Sequence, residues 1–117
     1  MDDDALDALL AALSRRTRRR ILDLVSAEPG MSMKALASHF DVSRIGVLKH
    51  VRVLEAVELL LPRKEGRTRH LFFNPIPIQL LRDRWTDQYG AFWSERVVDL
   101  KARVERRIAE SEDSKSA

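Results

Sequence analysis

The sequence predicts a mostly helical domain that carries one small β-hairpin. Two observations predict this fold class. Apolar residues recur at helical spacing in four short segments up to about residue 56 and again from residue 78 onward. Between them, residues 59–73 form two strand-like runs that flank a glycine. The chain has 117 residues, about the length of one domain, so we expect a single domain over 1–110 and a flexible tail over 111–117.

The four short helices are bounded by capping and breaking residues. Ser14, Ser32 and Ser43 precede the second, third and fourth helices, and a serine hydroxyl at an N-cap accepts a hydrogen bond from the first turn. Pro29 and Gly30 end the second helix. The apolar positions at helical spacing are Leu6, Leu9, Leu10 and Leu13 in the first helix, Ile21, Leu22 and Val25 in the second, Leu36, Ala37 and Phe40 in the third, and Val47, Val51 and Leu54 in the fourth.

The hairpin and the last helix complete the predicted order of elements. Strands over Leu59–Lys64 and Thr68–Phe73 are joined at Gly66, and the prolines of 74–77 close the hairpin because neither can donate to a sheet. One long helix is then expected over 78–110. Its apolar side carries Ile78, Leu81, Trp85, Tyr89, Phe92, Leu100, Val104 and Ile108. That stripe is too long for so small a domain to cover, so a partner helix is expected.

Residues 33–54 form two short helices around a tight turn, which is a helix-turn-helix pattern. Ala37 allows the helices to cross closely, Val42 fills the turn, and Val47 anchors the second helix. Two packed helices often have no nucleic-acid role. Here, however, three basic side chains and a capping serine lie on the exposed face, which favours binding in the major groove of DNA. The candidate DNA-binding residues on this helix are Ser43, Arg44, Ile45, Leu48, Lys49 and Arg52. The apolar pair at 45 and 48 either contacts thymine methyls or packs inside the protein.

Positive charge is concentrated in the middle of the chain. Residues 14–74 carry 13 Lys/Arg against six Asp/Glu, although the whole chain has a net charge of only +3. Such an excess indicates a polyanion partner. Four basic side chains lie on or beside the hairpin turn, where they either contact DNA phosphates or protect an edge hairpin from aggregation. These are Arg63, Lys64, Arg67 and Arg69.

The run from Leu13 to Asn74 resembles the ArsR family of winged-helix repressors. The matching pieces are 18–22 (RRRIL), 33–40, 42–43, 47–54 and 63–67, and residues 82–93 are similar to a metal-independent branch of that family. The resemblance implies a winged helix-turn-helix domain that dimerises through its first and last helices and represses transcription by covering a palindromic operator. The residues expected at the dimer interface are Leu6, Leu9, Leu81, Trp85, Tyr89, Phe92 and Leu100.

Two local features bear on that resemblance. Glu58 stands where the family usually has a glycine after its recognition helix, so a left-handed conformation there is predicted to cost about 1 kcal/mol. The aromatic residues of the last helix form either part of a dimer core or a pocket for a small apolar effector. These residues are Trp85, Tyr89, Phe92 and Trp93.

The composition also excludes several classes of function. The chain has no cysteine, which excludes disulfides and thiol chemistry, and His39, His50 and His70 do not stand at metal-binding spacing. We therefore expect no metal site and no cofactor. No nucleophile–base pair or glycine-rich phosphate loop indicates an enzyme. No apolar run is long enough to span a membrane, and the acidic start is unlike a signal peptide, so a cytoplasmic location is expected. A winged-helix module that binds another protein remains the alternative, against which the local positive charge argues.

Overall fold

The structure, a computed structural model, describes residues 1–86 and 94–116. It divides into two compact units, 1–82 and 83–117. The elements are α1 (Asp3–Leu13), α2 (Arg16–Ala27), β1 (Met31–Ser32), α3 (Met33–Ala37), α4 (Arg44–Ala56), β2 (Leu60–Glu65), β3 (Thr68–Phe73), α5 (Ile76–Thr86) and α6 (Ser94–Ser116). The predicted fold class, mostly helical with a small sheet in a winged helix-turn-helix order, is confirmed.

Serine caps define the start of the two helices that matter most for the site. The hydroxyls of Ser32 and Ser43 accept hydrogen bonds from the backbone N–H three residues further on, at 3.0 and 3.1 Å. Both predicted caps are confirmed. The prediction for Ser14 is wrong, because α2 begins only at Arg16 and its N-cap is Arg15. Ser14 instead ends α1, where its hydroxyl donates to the carbonyl of Ala11 at 2.7 Å.

The core of the first unit lies where α1 to α4 meet the sheet. The predicted inward faces of α2 and α4 are confirmed, and in α3 Leu36 is buried with Ala37 at the margin. The third helix was expected to include Phe40 but ends at Ala37, and Phe40 packs against the core from the segment that follows. Val42 was expected to fill the turn before α4, but it is 56% exposed. The wholly buried large side chains are Leu9, Ile21, Val25, Leu36, Val47, Val51, Leu54, Leu59, Leu60 and Leu71.

The sheet is antiparallel with the order β1-β3-β2. β2 and β3 pair from Leu60↔Phe73 to Glu65↔Thr68, so a two-residue turn closes the hairpin and Gly66 takes φ +61° in it. The predicted strands are correct to within one residue. β1 was not predicted, because two residues are too short to show an alternation. It exists because Met31 and Ser32 pair with β3.

The turn after α4 is a Schellman motif with glutamate in place of glycine. The Glu58 N–H donates to the carbonyl of Glu55 at 2.9 Å, and the Leu59 N–H donates to the carbonyl of Leu54 at 3.0 Å. Glu58 has φ +62°, as the resemblance to the ArsR family implies. The buried side chains of Leu54 and Leu59 accompany this turn, and Asn74 donates to the Glu58 carbonyl at 2.9 Å. Packing therefore holds a backbone conformation that glutamate does not favour.

The C-terminal helices depart from the prediction at both ends. α5 begins two residues earlier than expected and includes Pro77 in its first turn, where a missing N–H is tolerated. Residues 87–93, including Tyr89, Phe92 and Trp93, lie outside the described residues, so a single continuous helix and an aromatic effector pocket stay predictions. α6 continues through 111–116, where a flexible tail was expected, and no glycine or proline occurs in it to end the helix.

Several residues expected at a dimer interface take part in the protomer's own packing instead. Leu6 and Leu9 are 9% and 1% exposed, and Leu81 packs against the core. Helical spacing identifies an apolar face but cannot distinguish a face that packs within one chain from one that packs between two. Trp85 and Leu100, by contrast, are 61% and 51% exposed.

Replacing Glu58 by glycine is expected to stabilise the protein. Glycine adopts positive φ without the Cβ clash, which is worth about 1 kcal/mol, less the entropy that glycine adds to the unfolded chain. Urea unfolding of Glu58→Gly should therefore give a free energy of unfolding higher by about 0.5 kcal/mol. Glu58→Ala is the matched control, since it removes the carboxylate and keeps the strain. Equal stabilisation by both variants would contradict a backbone origin.

Candidate nucleic-acid interface

The exposed face of α4 brings together most of the residues predicted to contact DNA. Val47, Val51 and Leu54 are wholly buried, which fixes the rotation of the helix. The opposite face is left open to solvent, and within the described part of the chain its basic side chains have no carboxylate partner. That face carries Arg44, Ile45, Lys49 and Arg52. Ile45 is 69% exposed.

Two of the predicted helix residues have structural tasks. Leu48 is half-buried and packs against the hydrophobic core, so the structure favours packing over contact with a thymine methyl. The Ser43 hydroxyl caps α4 and accepts the Gly46 N–H at 3.1 Å.

The hairpin of β2 and β3 forms the wing, and its basic residues do not share one role. Lys64 and Arg67 are exposed and have no carboxylate partner among the described residues. The guanidinium of Arg63 lies 3.7 Å from Glu65 on a side chain that is 73% exposed, so this pair is weak and easily broken. These three side chains remain available to a phosphate backbone.

Arg69 is the exception, because it binds within the protein. Side chains alternate along β3, so Arg69 shares the inward face with Leu71 and Phe73. There Nη2 of Arg69 forms an ion pair with Oε2 of Glu55, in the last turn of α4. This geometry argues against the prediction that Arg69 contacts DNA. The sequence did not identify Glu55 as a partner of Arg69. The only sequence signal for this pair is the alternation of side chains along β3, which places Arg69 on the inward face.

The arginines of α2 also form hydrogen bonds within the protein, although from the sequence they contribute only to the positive charge of the middle of the chain. Arg18 donates to the carbonyl of Ala11 at 3.1 Å and to Nδ1 of His50 at 3.2 Å. Arg19 donates to the carbonyl of Leu13 at 2.8 Å. Arg20 donates to the carbonyl of His39 at 3.2 Å, and its guanidinium lies 5.0 Å from the centroid of the Phe40 ring. These bonds fasten α2 to the end of α1, to α4 and to the turn before α4.

His50 sits in α4 as a neutral hydrogen-bond acceptor. Burial lowers its pKa below the ordinary value of 6.5, and the positive charges of Arg18 and Arg15 lower it further. An imidazole that accepts a bond from a guanidinium must be unprotonated at that nitrogen. His50 therefore connects α4 to α2.

Neither a metal cluster nor a membrane helix is found in the described residues. Over 1–86 and 94–116, no three His, Asp or Glu side chains come close enough to hold one ion. No helix in those ranges has the length and apolar character needed to cross a bilayer.

Comparison with known proteins assigns the chain to a family. A helix-turn-helix domain family matches residues 13–63, which include α2, α3 and α4. The chain is 33% identical over 87 residues to the uncharacterized HTH-type transcriptional regulator YuzN of Bacillus subtilis, covering 69% of this chain and 95% of that protein. A solved ArsR-like transcriptional regulator from Rhodococcus sp. RHA1 superposes with a TM-score of 0.63 at 29% identity, covering 85% of this chain and 92% of that one. The chain is a helix-turn-helix transcriptional regulator of the ArsR type.

A second relative agrees with this assignment. The transcriptional repressor SdpR of Bacillus subtilis is 27% identical over 74 residues, which cover 63% of this chain and 81% of SdpR. In this ArsR-type regulator, α3 and α4 are the two helices of the helix-turn-helix, and both lie within the matched region.

The stability of the regulator is expected to fall as the pH drops below about 6.5. The folded state holds a proton on His50 more weakly than the unfolded state does, so acidification favours unfolding. His50→Gln keeps an acceptor for Arg18 but cannot titrate, so it should lose less stability than the wild type between pH 7.5 and 5.5. Urea unfolding at both pH values measures this. His39→Gln, at an exposed position, is the control, and an equal loss in wild type and His50→Gln would contradict the role of His50.

Proposed function

We propose that this protein is a homodimeric, sequence-specific DNA-binding repressor. The observation that carries the proposal is the exposed basic face of the recognition helix, whose charges have no carboxylate partner among the described residues. A solvent-exposed cluster of basic side chains without carboxylate partners, on the second helix of a helix-turn-helix, fits the major groove of DNA. A repressor role is suggested by the similarity to SdpR, which is a transcriptional repressor.

Base recognition is assigned to the exposed face of α4. Arg44 and Lys49 are suited to donate to the acceptor atoms of guanine, and Ile45 is suited to contact the methyl group of thymine. Arg52, two turns along the helix from the cap, is suited to a phosphate at the edge of the groove. Leu48 is left out of this assignment because it packs inward.

Phosphate contact is assigned to the wing. Lys64 and Arg67 lie at its tip without carboxylate partners in the described residues, and Arg63 has only a loose ion pair that a phosphate can replace. Such contacts strengthen binding to every sequence alike and make it dependent on salt. The wing therefore contributes affinity, whereas α4 contributes specificity.

Dimerisation is assigned to α6. Leu100, Val104 and Ile108 follow one another at four-residue steps and are 51%, 55% and 54% exposed. An apolar stripe of this kind along a helix is stabilised by a second helix packed against it. A two-fold dimer also matches the DNA requirement, because two recognition helices must reach successive major grooves about 34 Å apart. No metal ligand set is included in the proposal, since the sequence has no cysteine.

The recognition helix and the wing are expected to respond differently to mutation. Arg44→Ala should weaken binding to operator more than binding to random DNA, by about 1–3 kcal/mol of discrimination, because it removes a base contact. Arg67→Ala should weaken binding to both and reduce the slope of log affinity against log salt by about one per wing. An operator selected from a random DNA pool and a scrambled duplex, each titrated at several salt concentrations, provide the measurement.

Arg106→Ala, on α6, controls for the loss of one positive charge from the chain. It lies on the side of α6 opposite the apolar stripe, so it should change neither specificity nor the salt slope. Loss of specificity in the wing variant, with specificity retained in Arg44→Ala, would show that the two roles are reversed.

Disrupting the stripe on α6 is expected to produce a monomer that binds operator poorly. Leu100→Asp with Val104→Asp introduces two charges that cannot be buried against a second helix. Ala102→Asp with Ala109→Asp adds the same charges on the opposite side and should remain dimeric. Sedimentation equilibrium and operator affinity are measured for both. A dimeric Leu100→Asp, Val104→Asp protein with full affinity would rule out pairing through this stripe.

A further inference from the structure

The outer part of the wing is a ribbon of only two strands. β1 pairs with β3 at His70 and Leu71 and does not extend beyond them. From Arg69 to the turn, β3 is paired with β2 alone. A two-stranded ribbon is marginally stable in water, so something besides the sheet must hold its direction.

Arg69 stands at the base of this ribbon and binds the recognition helix there. Its Nη2 forms the ion pair with Oε2 of Glu55, and the side chains of Arg69 and Glu55 are 34% and 16% exposed. Nε of Arg69 and Oε1 of Glu55 are also shielded from solvent, and neither has a hydrogen-bond partner among the residues that the structure describes. A charge that loses its partner in such a setting is costly, so the pair resists opening more than a surface pair does.

The covalent link between α4 and the wing does not by itself determine the position of the tip of the wing. Residues 57–59 connect α4 to β2 and fix where β2 begins, through the Schellman turn at Glu58. Arg67, in the turn, lies two residues and about 7 Å beyond Arg69, at about 3.3 Å per residue. A modest tilt of the ribbon at its base therefore moves Arg67 by more than the tolerance of a hydrogen bond to phosphate.

We propose that Glu55 and Arg69 are positioning residues that hold the wing at the angle at which its tip contacts phosphate. This inference rests on the proposed function, in which the wing binds the DNA backbone. It assigns an acidic residue a favourable role in binding DNA. Electrostatics alone predicts the opposite, because removal of an acid near DNA strengthens binding.

The variant Glu55→Gln separates these two expectations by sign. If the ion pair positions the wing, Glu55→Gln binds operator and scrambled duplex about five- to tenfold more weakly, and its salt slope falls as in Arg67→Ala. Adding Arg67→Ala to Glu55→Gln then has little further effect, because the wing has already lost its contact. Asp41→Asn is the matched control. It removes an exposed acid from the turn before α4 without touching the wing, and should bind DNA as tightly as the wild type or more tightly.

A reversed pair guards against a failure to fold. Circular dichroism shows whether Glu55→Gln is folded. Glu55→Lys with Arg69→Glu keeps the net charge and restores an ion pair of opposite direction, so Arg67→Ala should again lower the salt slope in that background. A reversed pair in which Arg67→Ala has no effect overturns the positioning role.

The outcomes for the two proposals are distinguishable. The positioning role is overturned if Glu55→Gln binds DNA as tightly as Asp41→Asn does and if adding Arg67→Ala to Glu55→Gln still lowers the salt slope. The proposed DNA binding by the wild-type protein is unaffected by that result. A wild-type protein whose binding to DNA is unaffected by Arg67→Ala overturns both the wing contact and the inference that depends on it.

Discussion

Burial of the apolar stripe of α4 is the constraint on which the rest of the structure depends. Val47, Val51 and Leu54 are wholly buried, and each such side chain contributes about 1.5–3 kcal/mol when removed from water. Their burial fixes the rotation of the helix about its axis. The rotation in turn determines that Arg44, Ile45 and the other predicted contact residues lie outside.

The same burial controls how the chain enters the wing. Leu54 and Leu59 pack together at the end of α4 and hold Glu58 in a left-handed conformation. β2 starts directly after this turn, so the site has two parts, a helix face and a hairpin, whose relation depends on three residues of backbone and on the ion pair of Glu55 and Arg69.

Basic residues in this protein divide into two groups that composition cannot separate. Some guanidinium groups donate to backbone carbonyls or to a side chain within the protein, as Arg18, Arg19 and Arg69 do. Others, such as Arg44 and Arg67, are exposed without a carboxylate partner in the described part of the chain. Each arginine adds one charge to a sum, but only its neighbours in three dimensions decide whether that charge is available to DNA.

The sequence alone determined the features that depend on neighbours along the chain. Helix periodicity, the caps at Ser32 and Ser43, the hairpin around Gly66 and the left-handed Glu58 all arise from contacts within a few residues. Tertiary structure decided the inward packing of Leu48, the pairing of β1, the burial of Leu9 within one protomer and the partners of Arg69 and His50. Arg18 and His50 are 32 residues apart, and Nδ1 of His70 lies 2.8 Å from the carbonyl oxygen of Gly30, 40 residues away. Such pairs meet only after the core has packed, because no local pattern encodes which distant side chain will lie opposite.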